Sequence, residues 1–200
     1  MKSIIQIIIT IGFIYLILKG NNNTASVISN SNFINQNSKY DKLTNVVYEI
    51  KGLGDVDDVY LKRVSTIVSN FYGFKTIVKD KVDISDDMYI KNTSKILNAS
   101  ICLRSLDSYN VKRIYVTNKE LWATGDFING LSYLNGNSVI VTILSKNFEE
   151  TVKHEVGHTF GLEHCSEKTC VMASANDQFE TGKFCNKCKS HFVMTFDIKQ

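Results

Sequence analysis

The chain has 200 residues, 44% hydrophobic and 22% charged, a composition that suits one globular domain and excludes a wholly disordered or fibrous chain. A formal charge of +3 is too small to call for nucleic acid or an acidic partner, and neither is expected. Reactive side chains are few, and three of the four histidines and four of the five cysteines fall between residues 154 and 188.

In chain order, residues 4–18 (IIQIIITIGFIYLIL) come first, apolar apart from Gln6 and Thr10 and flanked by Lys2 and Lys19. As a helix this run spans roughly 22 Å, short of a ~30 Å hydrocarbon core, and its basic start fits the apolar region of a secretory signal. No clear small-residue cleavage site follows. Residues 1–19 are therefore expected to be a signal peptide or an uncleaved membrane anchor, with a buried core helix as the alternative. Either export reading places the rest outside the cytoplasm, with membrane contact only through residues 4–18. The Asn- and Ser-rich residues 20–40 read as a flexible linker. Residues 41–200 then form the folded unit, expected to act as a monomer.

Within that unit, Val46 to Ile50 reads as a strand ended by the Gly52 and Gly54 turn. Asp55 to Phe71 carries apolar residues at helical spacing, with Gly73 as its stop. Phe74 to Ile84 alternates as a half-buried strand, and Ser94 to Leu106 is a second helix carrying Cys102. Lys112 to Thr117 and Ser138 to Leu144 are further strands, with Leu131 to Leu134 a short partner. The order predicts an α/β or α+β layer, a mixed sheet covered by helices. Asn147 reads as an N-cap completed by Glu150, and Phe148, Val152, Val156 and Phe160 form the stripe that packs the next helix on the sheet. His154 and His158 fall on a separate, polar face of that helix.

Residues 154–164 read H-E-x-x-H-x-x-G-x-x-H. Positions i and i+4 share a helix face, so His154 and His158 can converge on one zinc ion. Gly161 permits a sharp turn through a left-handed conformation, returning His164 as a third ligand. Three protein ligands leave a fourth position for water, as catalytic sites do, and Glu155 can reach that water as general base without binding the metal. The full pattern arises by chance in roughly a few chains per million, so it names a class: zinc-assisted hydrolysis of an amide in a peptide or protein substrate.

Beyond His164 the chain reads Cys165-x4-Cys170-x-Met172 and then Cys185-x2-Cys188. With the histidine motif, this pattern resembles the archaemetzincin family of zinc peptidases, within the metzincin clan. The resemblance implies a metzincin-like mixed, twisted sheet packed with helices, an active-site helix, a methionine turn at Met172 and a C-terminal helical segment. It implies catalytic zinc on His154, His158 and His164, the base at Glu155, and a structural zinc on Cys165, Cys170, Cys185 and Cys188, two ions per chain. It also implies an edge strand within Leu131 to Ile143 that pairs with extended substrate, against the alternative of an interior strand. Only twelve residues separate Met172 from Cys185, fewer than the resemblance implies.

The cysteines alone leave zinc and disulfides both open, since exported chains allow either. Cys102 reads as a small buried apolar residue and His191 as a surface residue. Trp122 and Tyr133 read as core residues or as pocket lining. Two other functions compete with the peptidase: a catalytically silent zinc module acting as an interaction domain, and a thiol-disulfide protein built on Cys185-x-x-Cys188. The second leaves the histidine motif unexplained.

Overall fold

The computed structural model describes residues 45–107, 109–174 and 182–198, so the expected export segment and linker lie outside the described residues. Among the described residues no helix is long and apolar enough to cross a membrane.

Strand β1 (Val47–Leu53) is followed by helix α1 (Asp58–Tyr72). Asp57 caps α1 by accepting from the Val59 N–H at 2.9 Å, which moves the helix start three residues past the expected Asp55. Gly73 ends it at φ 75°. Strand β2 covers only Lys75–Val78, shorter than the Phe74 to Ile84 expected. Beyond it β1 itself turns at Gly54 (φ 77°), leaving one isolated pairing of Leu53 with Val82.

The expected helix from Ser94 is a strand first. Strand β3 (Ile96–Asn98) runs into helix α2 (Ala99–Leu106). Asn98 makes the switch, because its side chain accepts from the Ile101 N–H at 3.1 Å and so starts the helix only after it. Strands β4 (Lys112–Thr117), β5 (Glu120–Ala123), β6 (Asp126–Ile128), β7 (Gly130–Ser132) and β8 (Ser138–Thr142) follow, then helix α3 (Phe148–His158) and helix α4 (Asn186–Ile198).

Five strands form one mixed sheet in the order β2-β1-β4-β8-β7, parallel except for β7, which is an antiparallel edge. A second sheet of three short strands, β3-β5-β6, was not foreseen. Side chains alternate across the main sheet. Tyr115 and Ile140 join Leu97, Cys102, Leu103 and Leu121 in one core under α2 and the small sheet. Helices α1 and α3 pack together on the sheet and against β1 and β8 respectively. A cluster of stacked and tilted rings, Tyr48, Tyr72, Phe74, Phe160, Phe184 and Phe192, joins α4 to this layer.

Candidate active site

Helix α3 carries the site. Its apolar stripe is buried as expected, but Asn147 makes no side-chain capping bond. The Asn147 carbonyl instead accepts from both the N–H and the hydroxyl of Thr151, and Ser145 Oγ accepts from the Asn147 N–H at 3.2 Å. The polar face carrying His154 and His158 is largely enclosed, since every residue from Thr151 to Gly157 is buried and His158 is half-buried. The segment around Met172 covers it. At the other end, Lys112 donates to the Thr159 carbonyl at 3.1 Å and to the Gly136 carbonyl at 2.9 Å, placing a cation where the helix dipole is negative. Thr159 Oγ1 lies 2.6 Å from the Tyr48 hydroxyl, and Gly161 (φ 80°) then makes the left-handed turn that returns His164.

The ring nitrogens of His154, His158 and His164 that face one another lie within 4.8 Å. His154 Nδ1 is 2.8 Å from the Val171 carbonyl, and His158 Nδ1 is 2.6 Å from the Leu162 carbonyl. A carbonyl only accepts, so both Nδ1 atoms carry the proton and both Nε2 atoms present lone pairs. Those two Nε2 atoms are 2.9 Å apart. Burial, with the His158 charge second, pushes the His154 imidazole down to about 3, so at neutral pH no proton bridges the pair. Two lone pairs at that distance repel unless a cation sits between them, and tetrahedral zinc spaces its nitrogens by about 3.3 Å. The donor set fits the ion.

Glu155 is only 8% exposed. Burial pushes its carboxyl up to about 7, opposed by the Ser132 hydroxyl 2.7 Å from Oε2. The same hydroxyl lies 2.8 Å from the Glu155 carbonyl oxygen. Gly130, two residues earlier on edge strand β7, has no room for a side chain: a Cβ there would lie 2.8 Å from Glu155 Cγ and 3.0 Å from Thr151 Cγ2. Sequence reasoning missed Ser132 and Gly130. The one signal for them was a glycine inside a strand pattern, which marks close approach of another group.

The Sγ atoms of Cys165, Cys170, Cys185 and Cys188 also lie within 4.8 Å of one another, and no disulfide joins them. Cys165 Sγ and Cys185 Sγ are 3.7 Å apart, against about 3.8 Å between thiolates on a tetrahedral zinc with 2.3 Å bonds. Backbone N–H groups of Glu167, Met172, Cys185 and Cys188 point at three of the sulfurs at 3.3–3.4 Å, which favours thiolates. Of the two open chemistries, this geometry fits a metal.

The profile of peptidase family M54 matches residues 25–193. The chain belongs to that family. Its curated relatives include archaemetzincins of Methanocaldococcus jannaschii, 28% identical over 161 residues (70% of this chain, 88% of the relative), and of Haloquadratum walsbyi, 26% identical over 149 residues (64% and 86%). Crystal structures of archaemetzincins from Archaeoglobus fulgidus, complexed with malonate, and from Methanopyrus kandleri share the fold. Their TM-scores are 0.63 and 0.62 at 24% and 22% identity, covering 73% and 76% of this chain and 99% and 96% of those.

As a member of M54 the chain is a zinc metallopeptidase of archaemetzincin type. Met172, expected from the sequence to form a methionine turn, is fully buried, with Sδ filling the space a Cβ on Gly157 would need. The stretch from Leu131 to Ile143 contains both strands the sequence left in balance: β7 is the edge, β8 is interior. Tyr133, beyond β7, is 47% exposed, whereas Trp122 is half-buried in β5 of the small sheet. Cys102 is buried in the core under α2. His191 lines, with Gly161, His164 and Lys187, a cleft of about 320 Å³ beside the histidine cluster.

Proposed function

We propose that this zinc peptidase hydrolyses peptide bonds at the histidine cluster, with His154, His158 and His164 holding the catalytic ion and Glu155 acting as general base. The observation that carries the reading is the pair of facing Nε2 lone pairs, fixed by two backbone carbonyls, one residue from a buried carboxylate. Zinc held there would supply a Lewis acid with a free fourth position, making water acidic near neutral pH and drawing charge from a carbonyl oxygen. The Glu155 carboxylate takes the proton of the attacking water and passes it to the leaving amine. Ser132 steadies that carboxylate while it does so, through the bond to Oε2. The His154 and His158 imidazoles move no protons, because their Nδ1 hydrogens are committed to carbonyls. Edge strand β7 has its outer side at the margin of the sheet, where an extended peptide would lie alongside the cluster as an added strand. The four cysteines hold a second, closed ion, for two zincs per chain.

The test is Glu155→Gln, assayed on a peptide library by mass spectrometry with metal content measured in parallel. Two zincs should remain while cleavage falls at least ~10²-fold, the contribution expected of a general base. Undiminished turnover would remove Glu155 from the mechanism, and one zinc per chain would remove the second site.

A further inference from the structure

The histidine and cysteine clusters are built on one stretch of backbone. His164 and Cys165 are consecutive, so a single peptide unit joins one donor of each cluster. The carbonyl that orients His154 belongs to Val171, the residue after Cys170. The Cys165 N–H donates to the Met172 carbonyl at 2.7 Å, closing residues 165–172 into a loop. The Val171 N–H donates to the Lys183 carbonyl at 2.7 Å, fastening that loop to the segment that leads into Cys185 and Cys188. Two of the three imidazoles therefore take their positions from residues next to cysteines. His154 does so through a hydrogen bond, and His164 through the chain itself.

Among the described residues, besides the sulfurs, the Val171–Lys183 backbone bond and the isolated pairing of Cys170 with Lys183 tie these two segments, and the pairing of Cys165 with Ala173 closes the loop on itself. An ion on four sulfurs would clamp them. Resting on the assignment of the histidine cluster as the catalytic zinc site, we propose that metal on the four cysteines raises the affinity of the histidine cluster for zinc, with Cys165 and Cys170 as positioning residues for the catalytic ligands. Disturbing the partner that orients a metal-binding histidine typically lowers affinity 10–100-fold, and a change of that size is expected here. Linkage makes the effect reciprocal: metal on the histidines must tighten the cysteine site by the same factor.

Cobalt(II) reports the two sites separately, because thiolate ligation adds an intense near-ultraviolet charge-transfer band that imidazole ligation lacks. Metal-free full-length protein is titrated with cobalt(II) against a chelator of known affinity, as wild type, Cys188→Ser and His158→Ala. Cys188 lies on α4, outside residues 164–172, so its replacement leaves intact the stretch of backbone that carries His164 and the Val171 carbonyl. In Cys188→Ser the thiolate band should weaken and the histidine-site affinity should fall at least about tenfold. In His158→Ala the thiolate site should weaken by a similar factor. Wild-type affinity at the unmutated cluster in either variant overturns the coupling, and if Cys188→Ser does not fold, His158→Ala decides alone. A wild type that binds cobalt only through thiolates would instead overturn the catalytic reading and the coupling with it. Two sites that fill independently would overturn the coupling and leave that reading standing.

Discussion

Glu155 and His154 are neighbours, buried to similar depth, and their proton affinities are displaced in opposite directions from ordinary values. Burial favours the neutral form of each, so the Glu155 carboxyl rises to about 7 and the His154 imidazole falls to about 3. Their contributions to stability therefore run against each other in the metal-free protein. Between about pH 6.5 and 3 the unfolded state binds more protons at His154, so stability is lost as pH falls through that window. Between about pH 4.5 and 7 the folded state binds more protons at Glu155, so stability there is lost as pH rises. The two nearly cancel from pH 6.5 to 4.5. Glu155→Gln removes one side of the balance: the metal-free variant should lose stability on acidification through that range, at up to about 1.4 kcal/mol per pH unit, where wild type stays flatter. Urea midpoints at several pH values check this, and parallel curves for the two proteins would refute it. Ser132 belongs to the same account, because its hydroxyl opposes the rise of Glu155. Ser132→Ala should lower kcat about tenfold, as a small misplacement of a catalytic group does, with zinc content unchanged and Ser132→Thr restoring much of the loss. An unchanged kcat in the alanine variant would reduce Ser132 to packing.

At the scale of elements, α3 is held less by its own sequence than by what covers it. Gly157 is a poor helix residue, about 1 kcal/mol worse than alanine in an exposed helix. Here it makes room for Met172, whose Sδ and Cε would lie 2.5 and 3.2 Å from an added Cβ. Gly157→Ala should therefore cost about 1–3 kcal/mol through overpacking, the reverse of the propensity expectation, and a stabilised variant in denaturant melts would refute it. The same contrast explains what was legible in the sequence. The histidine motif, its helix, the left-handed Gly161 and the two cysteine pairs were readable, because each depends on spacing within a few residues. Local chemistry also gave α1 and β4. Strand β3 was hidden inside a helical pattern because its partners, Glu120–Ala123 and the segment at Tyr89 and Ile90, are what make Ile96–Asn98 extended. The depth at which the histidine face lies was not legible, because the cover comes from residues 170–173, outside the helix. Ser132 and the Val171 carbonyl escaped for the same reason: their roles arise from tertiary approach and leave no mark in spacing.

For the molecule as a whole, the question is what keeps the C-terminal helix under the site. Helix α4 begins one residue after Cys185 and carries Cys188, so the cysteine cluster anchors its first turn. Its middle is anchored by Phe192, which is fully buried with ring centroids 5.4 Å from Tyr72, 5.5 Å from Phe160 and 5.7 Å from Phe184. Tyr72 in turn donates its hydroxyl to the Lys153 carbonyl, immediately before His154. The ring cluster thus connects α4 to the residue ahead of the first histidine without passing through the cysteine or the histidine cluster. Removing the ring takes away both burial and the packing around it. Phe192→Ala should cost about 3–5 kcal/mol, the range for a large aromatic lost from a core. Because the cysteine cluster still holds the first turn of α4, the loss should be felt first along the rest of that helix. Amide exchange should rise there before it rises in β1 and β4, whose ladders lie in the middle of the sheet. Urea denaturation of the zinc-loaded variant, with exchange followed by mass spectrometry, measures both. A cost below 1 kcal/mol would show that the cysteine cluster alone secures the helix, and exchange that rises uniformly would show that Phe192 holds the whole domain rather than α4 in particular.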